Sequence, residues 1–421
     1  MWWLTPHRVR CPTHRGWRCI VLAGSLLLAL PLAGVAQKEK PPLKPTFDIY
    51  GYVMTDMGFQ ANENDPLWFD VLRPTKLPSF HDEFGEGGRW FASVRQTRFG
   101  VKAHIPTNHN GDTIQTIFEW ELFGVGRAAG ETIFRLRHAY GEWRRFGAGQ
   151  TWSVFMDPDV FPNSLEYWGP PGMVFFRNVQ ARWIAYRKGD SRVLLALERP
   201  GASADQGDFA NLVELENVRG RFPLPDLSAQ GRLARGWGHV QLAGIVRYMK
   251  WDDLLEEDTF DLGGHGVGWG LNLSSNVKIK KKHVLKLEVS YGKAIENYMN
   301  DATVDVGARR NFDDPRRPIE GELLPVLGIV TFLDLNWSKR LTSTVGWSMI
   351  NIDNSDGQAG NAFHRGHYAL ANLLVYPVNN LMVGAELQYG RRSNFFNDYD
   401  ANDFRLQVSA RYNYSLHVRG N

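Results

Sequence analysis

Beyond residue 36 this chain of 421 residues contains no cysteine, because its two cysteines are Cys11 and Cys19. After Ala36 it also has no apolar run of about 18 residues, the length that a membrane-crossing helix requires. It has no excess of either charge. Four of its 48 basic residues and none of its 45 acidic ones lie in the first 36 positions, leaving 44 against 45. These absences exclude a disulfide framework, a helical membrane bundle and a polybasic nucleic-acid partner. The twelve histidines are scattered, with no H-x-x-x-H or His/Cys spacing, so neither a metal site nor a cofactor is expected.

What is present begins with an export signal. Arg8, Arg10, Arg15 and Arg18 precede an apolar run from Cys19 to Ala33, and Gly34-Val35-Ala36 offers small residues for cleavage. Residues 1–36 read as a secretory signal peptide cut before Gln37 rather than as an anchor, since Pro31 interrupts a short apolar core. Cys19 lies ahead of that core and is therefore not a lipidation site. Residues 37–45, "QKEKPPLKP", read as a short lead, and 46–421 as one cooperative domain.

An exported, aromatic-rich chain without helical spans points to a bacterial outer-membrane barrel, and the chain carries the matching period of two. Phe404, Leu406, Val408, Ala410, Tyr412, Tyr414, Leu416 and Val418 alternate with Arg405, Gln407, Ser409, Arg411, Asn413, Ser415 and His417. Leu381 to Gly390 and Arg98 to Ile105 repeat the pattern. Seven short polar turns are expected, near Asn108–Gly111, Arg144–Gly147, Lys188–Ser191, Arg235–Gly238, Lys280–His283, Ser338–Leu341 and Val378–Asn380. Eight longer connections are expected near 60–88, 124–131, 156–175, 201–224, 251–262, 299–322, 355–364 and 395–402. Together they join about sixteen strands, the first near Thr46–Phe59, with both chain ends on the short-turn, periplasmic side. The expected fold is all-β: a transmembrane antiparallel β-barrel with an aqueous lumen.

Four stretches sharpen the reading: "RQTRFGVK" (95–102), "RLRHAYGEW" (135–143), "AGQTWSVFMDPD" (148–159) and "GPPGMVFFRNVQARW" (169–183). In this order, with "IYGY" (49–52) near the start, the sequence resembles the DcaP-type porins, outer-membrane channels associated with dicarboxylate uptake. The resemblance spans essentially the whole exported chain and is strongest between residues 90 and 190. It implies a sixteen-stranded homotrimeric porin whose long third loop folds into the lumen. Two departures stand out. Residues 37–45 are too short for the helical, coiled-coil-like segment that can precede such barrels, and the chain runs several residues past its terminal aromatic, Tyr412 or Tyr414.

Alternation then assigns side chains. With Phe134, Leu136 and Tyr140 toward lipid, Arg135, Arg137, Ala139 and Gly141 face the lumen, and His138 points away from it. A lipid-facing arginine near the midplane costs about 2–4 kcal/mol, which favours this parity. The same reasoning turns Arg98 and Lys102 inward on the second strand, Glu119 and Glu121 on the third and Arg182 on the sixth. Arg98, Arg135, Arg137, Arg182 and Lys102 are candidates for guiding anions, since planar guanidinium groups match carboxylates. The alternative is that these arginines simply pair with Glu119 and Glu121. On the candidate constriction loop, Asp157, Asp159 and Glu166 either oppose the basic wall across the pore or serve as turn residues.

A catalytic reading fares poorly. Ser153 lacks a nucleophile elbow or an oxyanion-hole motif, so no catalytic residue is assigned. His364 and His367, and the run Lys280-Lys281-Lys282, read as solvated surface. The function expected is passive diffusion of small anionic solutes through an outer-membrane porin. The alternatives are a general or sugar-preferring porin and a blocked structural or adhesive barrel.

Overall fold

The structure is a computed structural model that describes residues 44–107, 111–255 and 259–420. The expected signal peptide and all but the last two residues of the lead lie outside the described residues. Sixteen antiparallel strands close into a barrel. They are β1 (Thr46–Gln60), β2 (Arg89–Ser93 and Arg98–Pro106), β3 (Thr113–Phe123), β4 (Thr132–Trp143), β5 (Phe146–Trp152), β6 (Arg177–Lys188), β7 (Ser191–Glu198) and β8 (Val218–Arg221 and Asp226–Arg235). They continue with β9 (Gly238–Asp253), β10 (Gly264–Ile279), β11 (His283–Lys293), β12 (Pro325–Asn336), β13 (Leu341–Ile352), β14 (Phe363–Val375), β15 (Leu381–Asn394) and β16 (Asp400–Arg419).

Each strand pairs with its sequence neighbours, and β1 pairs along its whole length with β16, from Thr46↔Arg419 to Gln60↔Arg405. That pairing removes both open edges, as hydrocarbon demands. The expected short turns and long connections fall where alternation breaks, although most of the Asn108–Gly111 turn lies outside the described residues. Outside the barrel wall, Val306–Arg310, Ile319–Leu323 and Ala204–Asp205 form a small separate sheet.

One strand departs from simple alternation. Glu119 of β3 pairs with His138 and Trp120 with Leu136, so Arg137 is an extra residue. This β-bulge reverses the parity of everything after it. Arg135 and Arg137 stay inside, and Phe134 and Leu136 stay outside. His138 and Tyr140, however, turn inward, contrary to expectation. His138 bonds Thr151, and the Arg182 guanidinium lies 5.4 Å over the Tyr140 ring. Ala139 and Gly141 take the outward positions with Trp143. Opposite Tyr140 the wall is Gly147 and Gly149, and a Cβ on Gly147 would lie 1.7 Å from the Tyr140 hydroxyl.

The interior is not uniformly polar. From β9 to β14 many inward positions are apolar and buried, including Ala243, Ile245, Val326, Val330, Phe332, Ile350, Ile352 and Leu370. They are covered by chain from the connections. Phe155, Met156, Met173 and Val174 come from 153–176, Leu72 and Leu77 from 61–88, and Ile295 and Tyr298 from 294–324. β12 therefore reads as a nearly continuous apolar run, "PVLGIVTFLDLN", because it has hydrocarbon on one side and packed loop on the other. Close packing shows at Gly172, where a Cβ would lie 2.0 Å from the Met349 carbonyl.

The bulge makes a direct prediction. In single-cysteine variants, water-soluble maleimide labels position 140 or 142 through the lumen and spares 139 and 143. The reverse pattern would mean that the parity continues through Arg137.

Candidate functional site

The break in β2 between Ser93 and Arg98 places the first notable side chains. Arg95 turns away from the strand to bond Asp70 (2.6 Å) and the Gly124 carbonyl (2.9 Å). Gln96 donates to Asp56 and to the Leu165 carbonyl, both at 2.9 Å. Arg98 resumes the strand and faces the lumen. The stretch "RQTRFGVK" thus ties down connection 61–88, ties down 153–176 and supplies a lumen cation in four consecutive residues.

At the centre of this wall sit two carboxylates. Arg137 contacts Glu119 at 2.7 Å and Glu121 at 2.5 Å. Arg98 reaches Glu121 at 3.3 Å and Glu119 at 3.7 Å, and Arg135 reaches Glu121 at 3.1 Å. Sequence reasoning placed these residues together. It missed Arg177, which lies 3.7 Å from Glu121 with its guanidinium over Trp152. Alternation back from Arg182 puts Asn178 and Gln180 inside and Arg177 on the other parity, so the pattern gave no signal for it. Four guanidinium groups thus surround two carboxylates. Arg137 is almost fully buried at 4% side-chain exposure, whereas Arg98 and Arg135 keep 22% and 21%.

The remaining candidates lie nearby. Arg182 bonds neutral acceptors, the Gln180 side-chain oxygen (2.9 Å) and the Trp152 carbonyl (2.7 Å). Lys102 lies 4.7 Å over the Tyr50 ring. Two further inward arginines, Arg192 and Arg232, face each other across β7 and β8. The alternation of β7 and β8 against Leu195, Leu197, Leu227 and Leu233 carries that signal, and it was overlooked.

The loop acids are tie-points. Asp157 is buried and bonds Arg232 (3.1 Å), His239 (2.7 Å) and Ser274 (2.7 Å), while Asp159 pairs with Arg232 and is partly exposed. Burial alone would raise the Asp157 carboxyl, but the His239 ring, Arg232 and Ser274 hold it well below the usual range. The carboxylates of Asp157 and Asp159 and the His239 ring converge closely, and the Arg232 guanidinium already supplies the cation there. Asp157 also accepts from the Asp159 N–H at 3.2 Å, in the manner of a turn residue.

Glu166 is buried, accepting from the backbone of Leu72 (3.2 Å) and Gly169. Its own N–H and that of Leu165 go to Glu386 on β15, at 3.1 and 2.8 Å. Neither Asp157 nor Glu166 is therefore placed to face the basic wall across open lumen. Ser153 and His138 serve separate bonds, Ser153 to Glu198 (2.9 Å) and His138 to Thr151 (3.0 Å).

Sequence reasoning also missed connection 61–88 as an occupant of the barrel. Arg73 lies between the rings of Trp68 (4.1 Å) and Trp168 (3.8 Å) and bonds Asp301 (2.9 Å), joining three connections at one guanidinium. The family model described as DcaP outer membrane protein matches residues 89–414. The chain belongs to that family. It is an outer-membrane protein of the channel and porin type.

The outer membrane channel DcaP of Acinetobacter baumannii is similar in fold, with a TM-score of 0.71 at 18% identity, covering 88% of this chain and 98% of that one. The anion-selective porin of Comamonas acidovorans (TM-score 0.56, 8% identity) and OmpT of Vibrio cholerae (TM-score 0.52, 13% identity) are similar in fold over 88% of this chain and 100% and 98% of theirs. No curated protein sequence matches the chain.

In this DcaP-family barrel, burial pushes the Glu166 carboxyl up to about 7, against the pull of the Gly169 N–H and Arg405. A carboxyl raised in the folded state favours its protonated form there. Its packing is thus unaffected below the ordinary value of 4.5 and loses stability as pH climbs from there to about 7. Protease cleavage within 153–176 is expected to be faster at pH 8 than at pH 5, and Glu166→Gln should bring that ratio close to one. An unchanged ratio would locate the pH response elsewhere. Separately, Asp157→Ala leaves His239 without its carboxylate and Arg232 with Asp159 in place of two acids, and should destabilise the barrel by about 3 kcal/mol in urea unfolding.

Proposed function

We propose that this protein is a passive outer-membrane channel preferring small anions, dicarboxylates among them, and that it assembles as a homotrimer. No bond-making chemistry and no cofactor enter this reading. The observation that carries it is the ratio of four guanidinium groups, Arg98, Arg135, Arg137 and Arg177, to two carboxylates, Glu119 and Glu121. Arg182, held by neutral acceptors, adds to the excess. Fixed cations along a narrow aqueous path lower the barrier for anions and raise it for cations. Arg98 and Arg135 retain solvent contact and are the groups a passing carboxylate meets. Arg137 is their buried support.

The assembly reading rests on family membership and on one structure of similar fold, the trimer form of OmpT of Vibrio cholerae. A second reading, a barrel with a blocked lumen, has one observation in its favour. Connections 61–88 and 153–176 both pack inside, with Leu72, Phe155, Val160 and Leu165 fully buried.

Planar-bilayer recording separates these readings. Anion over cation permeability is expected in wild type. A charge about 10 Å from a passing ion at an effective dielectric of about 20 is worth about 1.7 kcal/mol before screening. Arg98→Gln with Arg135→Gln should therefore reduce the preference by roughly tenfold at low salt, and less at high salt. Cation preference in wild type would sink the proposal, and absence of conductance would favour the blocked barrel.

A further inference from the structure

The outer wall carries a second charged feature, away from the lumen. Outward positions of β9 run from Val240 through Leu242, Gly244, Val246 and Tyr248, and then change character at Lys250 and Asp252. Across the register, Arg221 faces Lys250 and Arg219 faces Asp252, so all four side chains share the outward face at the long-connection end. Among the described residues, three cations stand there beside one carboxylate, which two of them contact. Lys250 meets Asp252 at 2.8 Å and Arg221 bonds the same group, whereas Arg219 bonds the carbonyl of its neighbour Val218 at 3.1 Å. His265, opposite Lys250 on β10, is exposed beside them.

Below them an outward-opening apolar groove of about 1100 Å³ crosses the wall from β3 to β10, with one end on these same strands. Leu227, Val246, Trp269 and Leu271 stand along it, each at least 40% exposed, and Ala229 and Gly244 form its floor. The groove lies within the hydrocarbon band. The cations lie further toward the strand ends, Lys250 four residues beyond Val246 with Tyr248 between them, and outward charge near the midplane would cost about 2–4 kcal/mol per residue. In bacterial barrels the long-connection end faces outside, so this level is the headgroup layer of the outer leaflet.

We propose that β8–β10 hold a phosphate-bearing lipid of the outer leaflet, its phosphate on Arg219, Arg221 and Lys250 and one acyl chain in the groove. Charge complementarity selects the headgroup, and the continuity of groove and cations on one face selects a molecule that carries both an anion and a chain. A free anion would leave the groove unused, and a neutral lipid would leave the cations unused.

Native mass spectrometry of the folded protein in detergent tests this with three probes: bisphosphorylated lipid A, the same lipid with its phosphates removed, and inorganic phosphate. Wild type should retain the phosphorylated lipid about tenfold more tightly or better than the dephosphorylated one. Inorganic phosphate should not compete at millimolar concentration. Arg219→Gln, Arg221→Gln and Lys250→Gln together should abolish the preference. These residues are on the surface, so heat-modifiable gel migration should show an intact barrel. Gly244→Leu should weaken both lipids alike. A Cβ at Gly244 meets only the Leu271 side chain at 3.6 Å and the Gly270 carbonyl at 3.7 Å. Equal retention of the two lipids, an unchanged triple variant, or inorganic phosphate binding as tightly as the lipid overturns the proposal. Disulfide cross-linking between copies through a cysteine at Leu227 also overturns it, by assigning the groove to a subunit contact.

Discussion

Backbone amides that enter a barrel need acceptors, and here the acceptors are carboxylates. Chain inside a membrane barrel has no strand partner of its own, and an unsatisfied buried N–H costs as much as a lost hydrogen bond. Glu386 takes the N–H groups of Leu165 and Glu166, Glu288 that of Val174, and Glu198 that of Val154. The other connections follow the same rule, with Asp301 accepting from Thr75, Asp305 from Ser203 and Asn297, and Asp403 from Asn62. The packing of Phe155, Met156, Met173 and Val174 on the β9–β14 wall is possible because these bonds fix the backbone first.

That use of acids shapes the electrostatics of the lumen. The chain is close to electroneutral beyond residue 36, yet its carboxylates are unevenly employed. Many are spent on the tie-points of the connections, where backbone N–H groups or a guanidinium occupy them. The wall formed by β2–β6 is left with arginines in excess over Glu119 and Glu121. A net charge near zero therefore coexists with a basic path, and the asymmetry arises from where the loops attach.

Much of this was legible in the sequence. Sixteen strands, their turns and the inward side of Arg98, Lys102, Glu119 and Arg182 follow from a period of two, which is what one lipid face and one wet face impose. The "RLRHAYGEW" stretch shows where such reading stops. Its Arg135 and Arg137 were assigned correctly, but the extra residue of the bulge leaves no compositional mark, so His138 and Tyr140 came out on the wrong side. Arg177 was hidden because it stands where the chain leaves the loop and strand parity does not yet apply. Connection 61–88 was invisible as a lumen element because its apolar residues, Trp68, Val71, Leu72 and Leu77 among them, follow no strand or helix period and are interspersed with acids and prolines. The apolar inner faces of β12 and β13 were its indirect sign, since a strand wet on one side does not read "PVLGIVTFLDLN".

The tie-points and the basic wall meet at Tyr167. Its ring stacks on Phe123 at 3.9 Å, its hydroxyl donates to Glu121, and the same oxygen accepts from Arg135 at 3.2 Å. Tyr167 belongs to the segment that Glu386 and Glu166 anchor from the far side. Any shift of that segment removes a donor from Glu121 and an acceptor from Arg135 at once. It leaves Glu121 to its arginines, and Arg135 to its contact with Glu121 at 3.1 Å. The Tyr167 hydroxyl thus ties the loop to the charges of the wall, and the carboxylates that seat the loop are linked to that wall without facing it.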